Sequence, residues 1–156
     1  MRGYWDMPRE TAEVLGPDGW LRTGDLVHKN PDGTYTFVGR RKEVIRRRGE
    51  NVAPAEIEEA LMSHADVTEA AVVGVPSELT EEEIKGFVAV ADPAAADLAA
   101  IRAAAAALLT PFKVPRYLEA VAELPHTPTG RIAKHELPRD RTAAEVDFDP
   151  RVRRAG

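Results

Sequence analysis

Two apolar runs predict the centre of a β-sheet. The runs EAAVVGV at 69–75 and IKGFVAVA at 84–91 are rich in valine, have the length of strands, and are followed closely by Pro76 and Pro93. A third segment, RYLEAVAEL at 116–124, alternates apolar and polar positions. We therefore predict three strands, of which the first two pair with each other.

Two amphipathic helices are predicted beside these strands. Pro54 suits a first helical position, and the helix that it starts is expected to extend over about 54–64. Its apolar side is formed by Ile57, Ala60, Leu61 and His64. The alanine-rich segment before Thr110 repeats large apolar residues at helical spacing, at Leu98, Ile101 and Leu108. The order helix, strand, strand, helix, strand predicts a small α+β fold with a central β-sheet flanked by helices.

The first forty residues have a different pattern, dominated by turns. The tetrapeptides GPDG at 16–19 and NPDG at 30–33 both place proline and glycine where a type I turn favours them. The second joins DLVHK to TYTFVG, which predicts a β-hairpin. Upstream, residues 8–15 are expected to form a short helix that begins at Pro8.

Composition and charge narrow the class of protein. The 156 residues are 44% hydrophobic and 30% charged, as in ordinary globular domains, so neither a disordered nor a fibrous protein is expected. No apolar run is long enough to span a bilayer, and no signal peptide is apparent, so the cytoplasm is the expected location. The net charge of −5 argues against a nucleic-acid binder. It conceals a basic stretch at 40–48, RRKEVIRRR, which precedes an acidic one.

Three places offer candidate chemistry. The turn-rich LPHTPTGRIAK at 124–134 presents Arg131 and Lys134, cations that could stabilise negative charge on a phosphate, although most cations after a turn are simply solvated. Arg46, Arg47 and Arg48 form either a binding patch or a solvated charge cluster. The Asp25 carboxylate could accept hydrogen bonds from ribose hydroxyls, although an aspartate at such a place is more often a simple turn residue. The four histidines lack metal-ligand spacing, there is no cysteine, and no glycine-rich phosphate loop occurs, so no metal site is predicted.

Five segments, taken in order, resemble the carboxyl-terminal part of AMP-forming acyl-CoA synthetases, members of the adenylate-forming superfamily. They are GYWDMPRETAE, DGWLRTGDL, GRRKEVIRRRGENVAPAEIEEAL, FKVPRYLEAVAELP and TPTGRIAK. The resemblance runs from about Gly3 to Leu137, with the crotonobetaine/carnitine or fatty-acid ligases as possible close relatives. It implies a large amino-terminal domain and a small mobile α+β domain. Together these convert a carboxylic acid and ATP with Mg²⁺ into an acyl-adenylate, and then into a CoA thioester.

The resemblance also assigns roles to individual residues. It implies that Asp25 binds the ribose of ATP, that Arg40 lies close to the nucleotide, and that Lys42 is the hinge. The loop that faces the thioester-forming site corresponds to Gly49, Glu50 and Asn51. The arginines at 46–48 are a hypothesis for CoA phosphates, based on their density alone.

The terminal loop departs from the family pattern. Relatives usually carry the lysine that assists adenylation directly after the glycine of this loop, where this sequence has Arg131. The charge is kept, although a planar guanidinium and a compact ammonium are not freely interchangeable. Arg131 is therefore taken as the positional equivalent, and Lys134 is kept as a possible stand-in.

The domain organisation follows from the same resemblance. Residues 1–39 are expected to be the end of the large domain, including the hairpin, and residues 40–156 the carboxyl-terminal domain. The phosphate-binding loop and acyl pocket of the family lie upstream, so the chain alone is expected to be inactive. Alternatives are an adenylation domain that loads a carrier protein, and a non-catalytic interaction module that retains the fold.

Overall fold

The computed structural model describes residues 1–77 and 81–149 and divides the chain into two compact units. The units are Met1–Lys42 and Glu43–Gly156. The division lies three residues after the boundary that the sequence suggested. Within the described residues, none of the helices combines the length and apolar character that crossing a membrane requires.

The first unit contains one short helix and one hairpin. Helix α1 (Pro8–Val14) begins with its proline in the first turn, as predicted, and ends one residue earlier than expected. Strands β1 (Asp25–Lys29) and β2 (Tyr35–Arg40) pair antiparallel around the NPDG turn, with a bulge between Leu26 and Val27. The predicted hairpin is therefore confirmed.

This first unit leaves much of its apolar surface exposed. Trp5 is 95% exposed and Trp20 is 77% exposed, and helix α1 contains no buried residue. On the hairpin, Val27 and Phe37 are cross-strand partners and both are exposed. A two-stranded sheet with uncovered aromatic residues gains little stability from its own burial.

The second unit is built around a four-stranded mixed sheet. Strands β5 (Glu69–Pro76) and β6 (Glu82–Ala89) pair antiparallel, and β7 (Tyr117–Val121) lies parallel to β6. Strand β8 (Val146–Asp147) completes the order β5-β6-β7-β8. The parallel pair needs a crossover, which helix α3 (Leu98–Leu108) supplies. The α+β class, the pairing of the first two predicted strands and both amphipathic helices are confirmed.

The sheet separates two hydrophobic cores. On one face, α3 and helix α2 (Pro54–Met62) pack against alternate residues of the strands, such as Val72 and Val88. On the other face, Val73 and Phe87 pack against Leu124 and Leu137. The chain segment from Leu124 to Leu137 therefore covers the second face, and both of its end residues pack against the sheet.

A small hairpin was missed by sequence reasoning. Strands β3 (Ile45–Arg47) and β4 (Glu50–Val52) pair antiparallel inside the stretch read only as a basic segment. Two residues, Arg48 and Gly49, connect them with φ of 54° and 79°. Two positive φ values in a two-residue loop match the mirror-image turns that suit the twist of paired strands.

Candidate functional site

A tight turn presents Arg131 at the surface of the second unit. The Thr127 N–H donates to the carbonyl of Arg131 (2.7 Å), and the Arg131 N–H donates back to Thr127 Oγ1 (3.2 Å). The Gly130 N–H donates to the Thr127 carbonyl (2.9 Å), and Gly130 has a φ of 79°, a conformation that favours glycine. The turn therefore holds its own shape by short-range hydrogen bonds.

The base of this turn is tied to the rest of the unit. The Ala133 N–H donates to the carbonyl of Pro125 (2.7 Å), and Ala133 is buried. On the other side, His126 Nε2 lies 3.1 Å from Glu69 Oε1 on β5. Residues 125–134, called the cationic loop below, therefore combine a fixed base with an exposed tip.

The two cations of the cationic loop have different surroundings. The Arg131 side chain is exposed, and no residue in the described part of the chain forms an ion pair with it. Lys134 is half-buried, and its Nζ lies 3.1 Å from Glu43 Oε2 and 2.7 Å from Glu58 Oε1. The structure thus leaves Arg131 available to an anion, whereas Lys134 would have to leave two carboxylates to reach one.

The β3–β4 hairpin presents a polar surface. Arg46, Arg48, Glu50 and Asn51 are all exposed there, together with Gly49. The Arg46 N–H donates to Glu82 Oε2 (2.8 Å), which attaches the hairpin to the start of β6. The residues assigned to the thioester step therefore all lie on this hairpin, and all except Arg47 are exposed.

Of the three arginines suggested for CoA phosphates, Arg47 alone has a buried side chain. Its side chain is 9% exposed, and its Nη2 lies 2.7 Å from Oε2 of Glu83, whose side chain is 4% exposed. Burial lowers the pKa of Arg47, and the Glu83 carboxylate opposes that effect. Successive strand residues point to opposite sides, so Arg47 of β3 is turned inward while Arg46 faces solvent. An inward-facing arginine is not accessible to phosphates.

The nucleotide candidates of the first unit also lie together. Asp25 and Arg40 are directly opposed at the open end of the hairpin. Arg40 Nε lies 3.0 Å from Asp25 Oδ1, and the two side chains form an ion pair whose angle does not suit a hydrogen bond. Arg40 Nη1 also donates to the Thr23 carbonyl (3.1 Å). Lys42 is exposed and is the last residue of this unit. In the parts of the chain that the structure describes, no cluster of His, Asp or Glu is suited to hold a metal ion.

A buried ionic network escaped sequence reasoning altogether. Lys85 of β6 is fully buried, and its Nζ lies 2.9 Å from Glu119 Oε2 and 2.8 Å from Glu145 Oε2. Next to it, Arg116 donates two hydrogen bonds to the Asp147 carboxylate (both 3.0 Å), and these hydrogen bonds raise the pKa of Arg116. The network fastens the segment that carries β8 to the sheet, which is a structural role.

The part of the second unit that runs from helix α2 to the cationic loop matches a known family. Residues 56–131 match the family model of the AMP-binding enzyme C-terminal domain. These residues belong to this family, and the resemblance seen in the sequence is confirmed.

Similar proteins extend the match along most of the chain. It is 44% identical over 137 residues to the sulfoacetate–CoA ligase of Cupriavidus necator, covering 88% of this chain and 27% of the relative. It is 41% identical over 142 residues to a long-chain-fatty-acid–CoA ligase of Bacillus subtilis, covering 91% and 25%. The crystal structure of ATP-bound MatB from Rhodopseudomonas palustris superposes with a TM-score of 0.77 at 33% identity, over 86% of this chain and 27% of that one. The chain therefore spans about a quarter of the length of these relatives.

Proposed function

We propose that this chain is the carboxyl-terminal part of an ATP-dependent acid–thiol ligase, in which Arg131 assists the first half-reaction. In that step an oxygen of the substrate carboxylate attacks the α-phosphorus of ATP, and the bond to pyrophosphate breaks. In the second step the sulfur of CoA attacks the carbonyl carbon of the acyl-adenylate, and AMP leaves. The observation that carries the proposal is an exposed Arg131, without an ion-pair partner among the described residues, on a fixed loop in a domain of this family.

Electrostatics explains why this reaction uses such a cation. The carboxylate and ATP are both anionic, and negative charge accumulates on the phosphoryl oxygens as they approach each other. A guanidinium that is already oriented towards this charge lowers the barrier without reorganising at the moment of reaction. Arg131 has no carboxylate partner among the described residues to give up before it serves this purpose.

The nucleotide contacts are proposed for the first unit. Asp25 would accept hydrogen bonds from the ribose hydroxyls, and Arg40 would lie close to the nucleotide. Their ion pair at the open end of the hairpin supports a joint role, because Arg40 holds the carboxylate in place. Mg²⁺ would enter with ATP and not on ligands of this chain.

The second step is assigned to the other polar surface. Gly49, Glu50 and Asn51 would face the thioester-forming site, with Arg46 and Arg48 near CoA phosphates. A rotation about Lys42 would exchange this surface for the cationic loop. The division of the chain directly after Lys42 supports that hinge.

We also propose a large upstream domain as the partner of Met1–Lys42. The relatives are about four times as long as the matched region, and the exposed aromatic residues of this unit, Trp5, Trp20 and Phe37, offer an apolar face to such a domain. ATP and CoA are both available in the cytoplasm, which we propose as the location.

ATP–pyrophosphate exchange tests the proposal. The complete enzyme is assayed with sulfoacetate, octanoate and palmitate as probe acids, since relatives carry the names of such substrates. We expect exchange with at least one acid, a loss of about 10²–10³-fold in Arg131→Ala, and activity retained in Arg131→Lys. The chain alone should show no exchange. An Arg131→Ala enzyme that exchanges at the wild-type rate would refute the role of Arg131.

A further inference from the structure

Two carboxylates from separate segments hold the ammonium of Lys134. Glu43 is the first residue of the second unit, and its Oε2 accepts a hydrogen bond from Lys134 Nζ (3.1 Å). Glu58 lies on α2, 2.7 Å from the same nitrogen, and its Oε1 also accepts the N–H of Val72 on β5 (2.8 Å). Lys134 therefore connects the exit of the cationic loop to the layer formed by α2 and β5 and to the residue that follows the unit boundary.

Lys134 lies only three residues after the exposed Arg131. Of the two residues between them, Ala133 is buried and hydrogen-bonded to Pro125. The ion pairs of Lys134 thus continue the fixed base of the cationic loop on its downstream side, opposite the contact between His126 and Glu69. The position of the Arg131 backbone depends on this base.

We propose that Lys134 is a positioning residue for adenylation. Through Glu43 and Glu58 it fixes the cationic loop to the segment that starts at the unit boundary, so that the loop follows this segment as one body and Arg131 arrives at a defined place. The proposal rests on the proposed function, because it takes Arg131 as the group that meets the nucleotide.

The rate loss expected without Lys134 comes from a misplaced Arg131 and not from a less stable domain. Ion pairs between partly exposed side chains contribute little to folding, so the loss of Lys134 should leave the domain folded. A misplacement of about 1 Å in a catalytic group, in contrast, costs about 10²-fold in rate. The loss should appear only in the step that uses the cationic loop.

The chain offers a closely matched control. Lys113 Nζ lies 2.6 Å from Glu56 Oε2, and Glu56 is on the same helix as Glu58. The side chain of Lys113 is 21% exposed, compared with 19% for Lys134. Replacing either lysine by methionine removes a cation that pairs with a glutamate of α2, but only Lys134 belongs to the cationic loop.

The experiment measures both half-reactions of the complete enzyme in Lys134→Met, Lys134→Arg and Lys113→Met. Adenylation is followed by pyrophosphate exchange with the fastest of the probe acids, and thioester formation by adding CoA to the preformed acyl-adenylate. We expect Lys134→Met to lower kcat for exchange by about tenfold or more, with KM for ATP and the thioester step unchanged. Lys134→Arg should restore exchange, and Lys113→Met should match the wild type. Equal losses in both half-reactions, or the same loss in Lys113→Met, would overturn the proposal.

A second readout separates this proposal from the proposed function. Amide hydrogen exchange of the 156-residue chain should become faster over residues 126–133 in Lys134→Met and stay unchanged in Lys113→Met. If the wild-type enzyme exchanges pyrophosphate with none of the acids, the proposed function fails, whatever the role of Lys134. Unchanged amide exchange in Lys134→Met would show that Lys134 does not fix the loop, and would refute the inference.

Discussion

Arg47 Nη2 lies 2.7 Å from Glu83 Oε2, and the two side chains are buried together beneath the β3–β4 hairpin. Arg47 Nη1 also donates to the carbonyls of Phe112 (2.7 Å) and Val114 (3.0 Å). One arginine therefore joins the hairpin to β6 and to the chain between α3 and β7. The middle arginine of the run Arg46–Arg48, within the most basic segment of the sequence, is therefore a structural residue.

Replacing Arg47 should destabilise the second unit strongly. Arg47→Met leaves the Glu83 carboxylate buried without its partner and two carbonyls without their donor, at an expected cost of about 3–5 kcal/mol in the free energy of unfolding. Urea denaturation followed by circular dichroism measures this cost. Arg46→Met, one residue away and exposed, is the control and should change stability by less than about 0.5 kcal/mol. Equal stability of the two variants would contradict the assignment.

The exposed arginines of the hairpin are expected to affect CoA instead. Arg46→Ala and Arg48→Ala remove cations from the surface without breaking a buried contact, so the fold should persist. If these side chains meet CoA phosphates, the double variant should raise KM for CoA in the thioester step and leave pyrophosphate exchange at the wild-type rate. Steady-state kinetics of the complete enzyme provides the measurement. An unchanged KM for CoA would remove both arginines from the binding surface.

Much of the fold was readable because periodicity and turn residues agreed. The valine-rich runs that became β5 and β6 have strand length and are followed closely by proline, and Leu98 and Ile101 recur at helical spacing. The β3–β4 hairpin was not readable, because a three-residue strand with two arginines is too short to show apolar alternation and its turn depends on a positive φ at Arg48. Strand β8 has only two residues and is likewise too short to show a periodic pattern.

The candidate site was readable only in part. Arg131 and Lys134 were recognisable in the sequence as cations after a turn. The difference in their surroundings, however, depends on ion-pair partners of Lys134 that are distant in the chain. Glu43 lies 91 positions before Lys134, and no local pattern indicates that contact. The burial of Arg47 depends likewise on Glu83 of β6, which sequence reasoning saw only as part of an acidic stretch.

The first unit should exchange its amide hydrogens faster than the second. Helix α1 has seven residues and none is buried, and the two-stranded β1–β2 sheet leaves Phe37 exposed. Short elements without a covered apolar face open at low free-energy cost. Hydrogen exchange by mass spectrometry should therefore show weak protection over residues 1–42 and strong protection in β5 and β6. Protection over residues 1–42 should increase in the complete enzyme, and uniformly strong protection in the chain alone would contradict this prediction.

A methyl group at Gly86 should disturb the core beneath α2. A Cβ built at this position lies 2.7 Å from Leu118 Cδ2 and 3.1 Å from Leu61 Cδ1, closer than packed carbons tolerate. Gly86→Ala should therefore destabilise the unit by about 1–3 kcal/mol through overpacking, measured by urea denaturation. Gly74→Ala is the comparison variant and should cost less, because its Cβ would meet the end of the Glu82 side chain rather than packed carbons, although shifting that carboxylate would disturb its hydrogen bond from the Arg46 N–H. A neutral Gly86→Ala would mean that the two leucines rearrange without cost.

The buried network around Lys85 should make stability depend on pH in the acid range. Burial raises the pKa of Glu145, but hydrogen bonds from Lys85, Arg141 and the Thr142 N–H, with the charge of Lys85, together outweigh it and lower the pKa below the ordinary value of 4.5. Burial also raises the pKa of Asp147, but hydrogen bonds from Arg116 and the Asp149 N–H, with the charges of Arg116 and Arg141, together lower it below 3.8. In this range the unfolded chain binds more protons than the folded one, so stability is complete above these ordinary values and is lost as the pH falls through the folded pKa values.

Glu145→Gln tests this dependence. The variant keeps the shape of the side chain but not its charge, so it should be less stable than the wild type at pH 7 by about 1–3 kcal/mol. Its free energy of unfolding should also fall less steeply below about pH 4.5, because one carboxylate that the fold keeps ionised is gone. Urea denaturation at a series of pH values from 7 down to 3 measures both effects. Glu123→Gln, at an exposed position, is the control and should follow the wild-type curve. A Glu145→Gln curve parallel to that of the wild type would show that Lys85 does not lower the pKa of this carboxyl group.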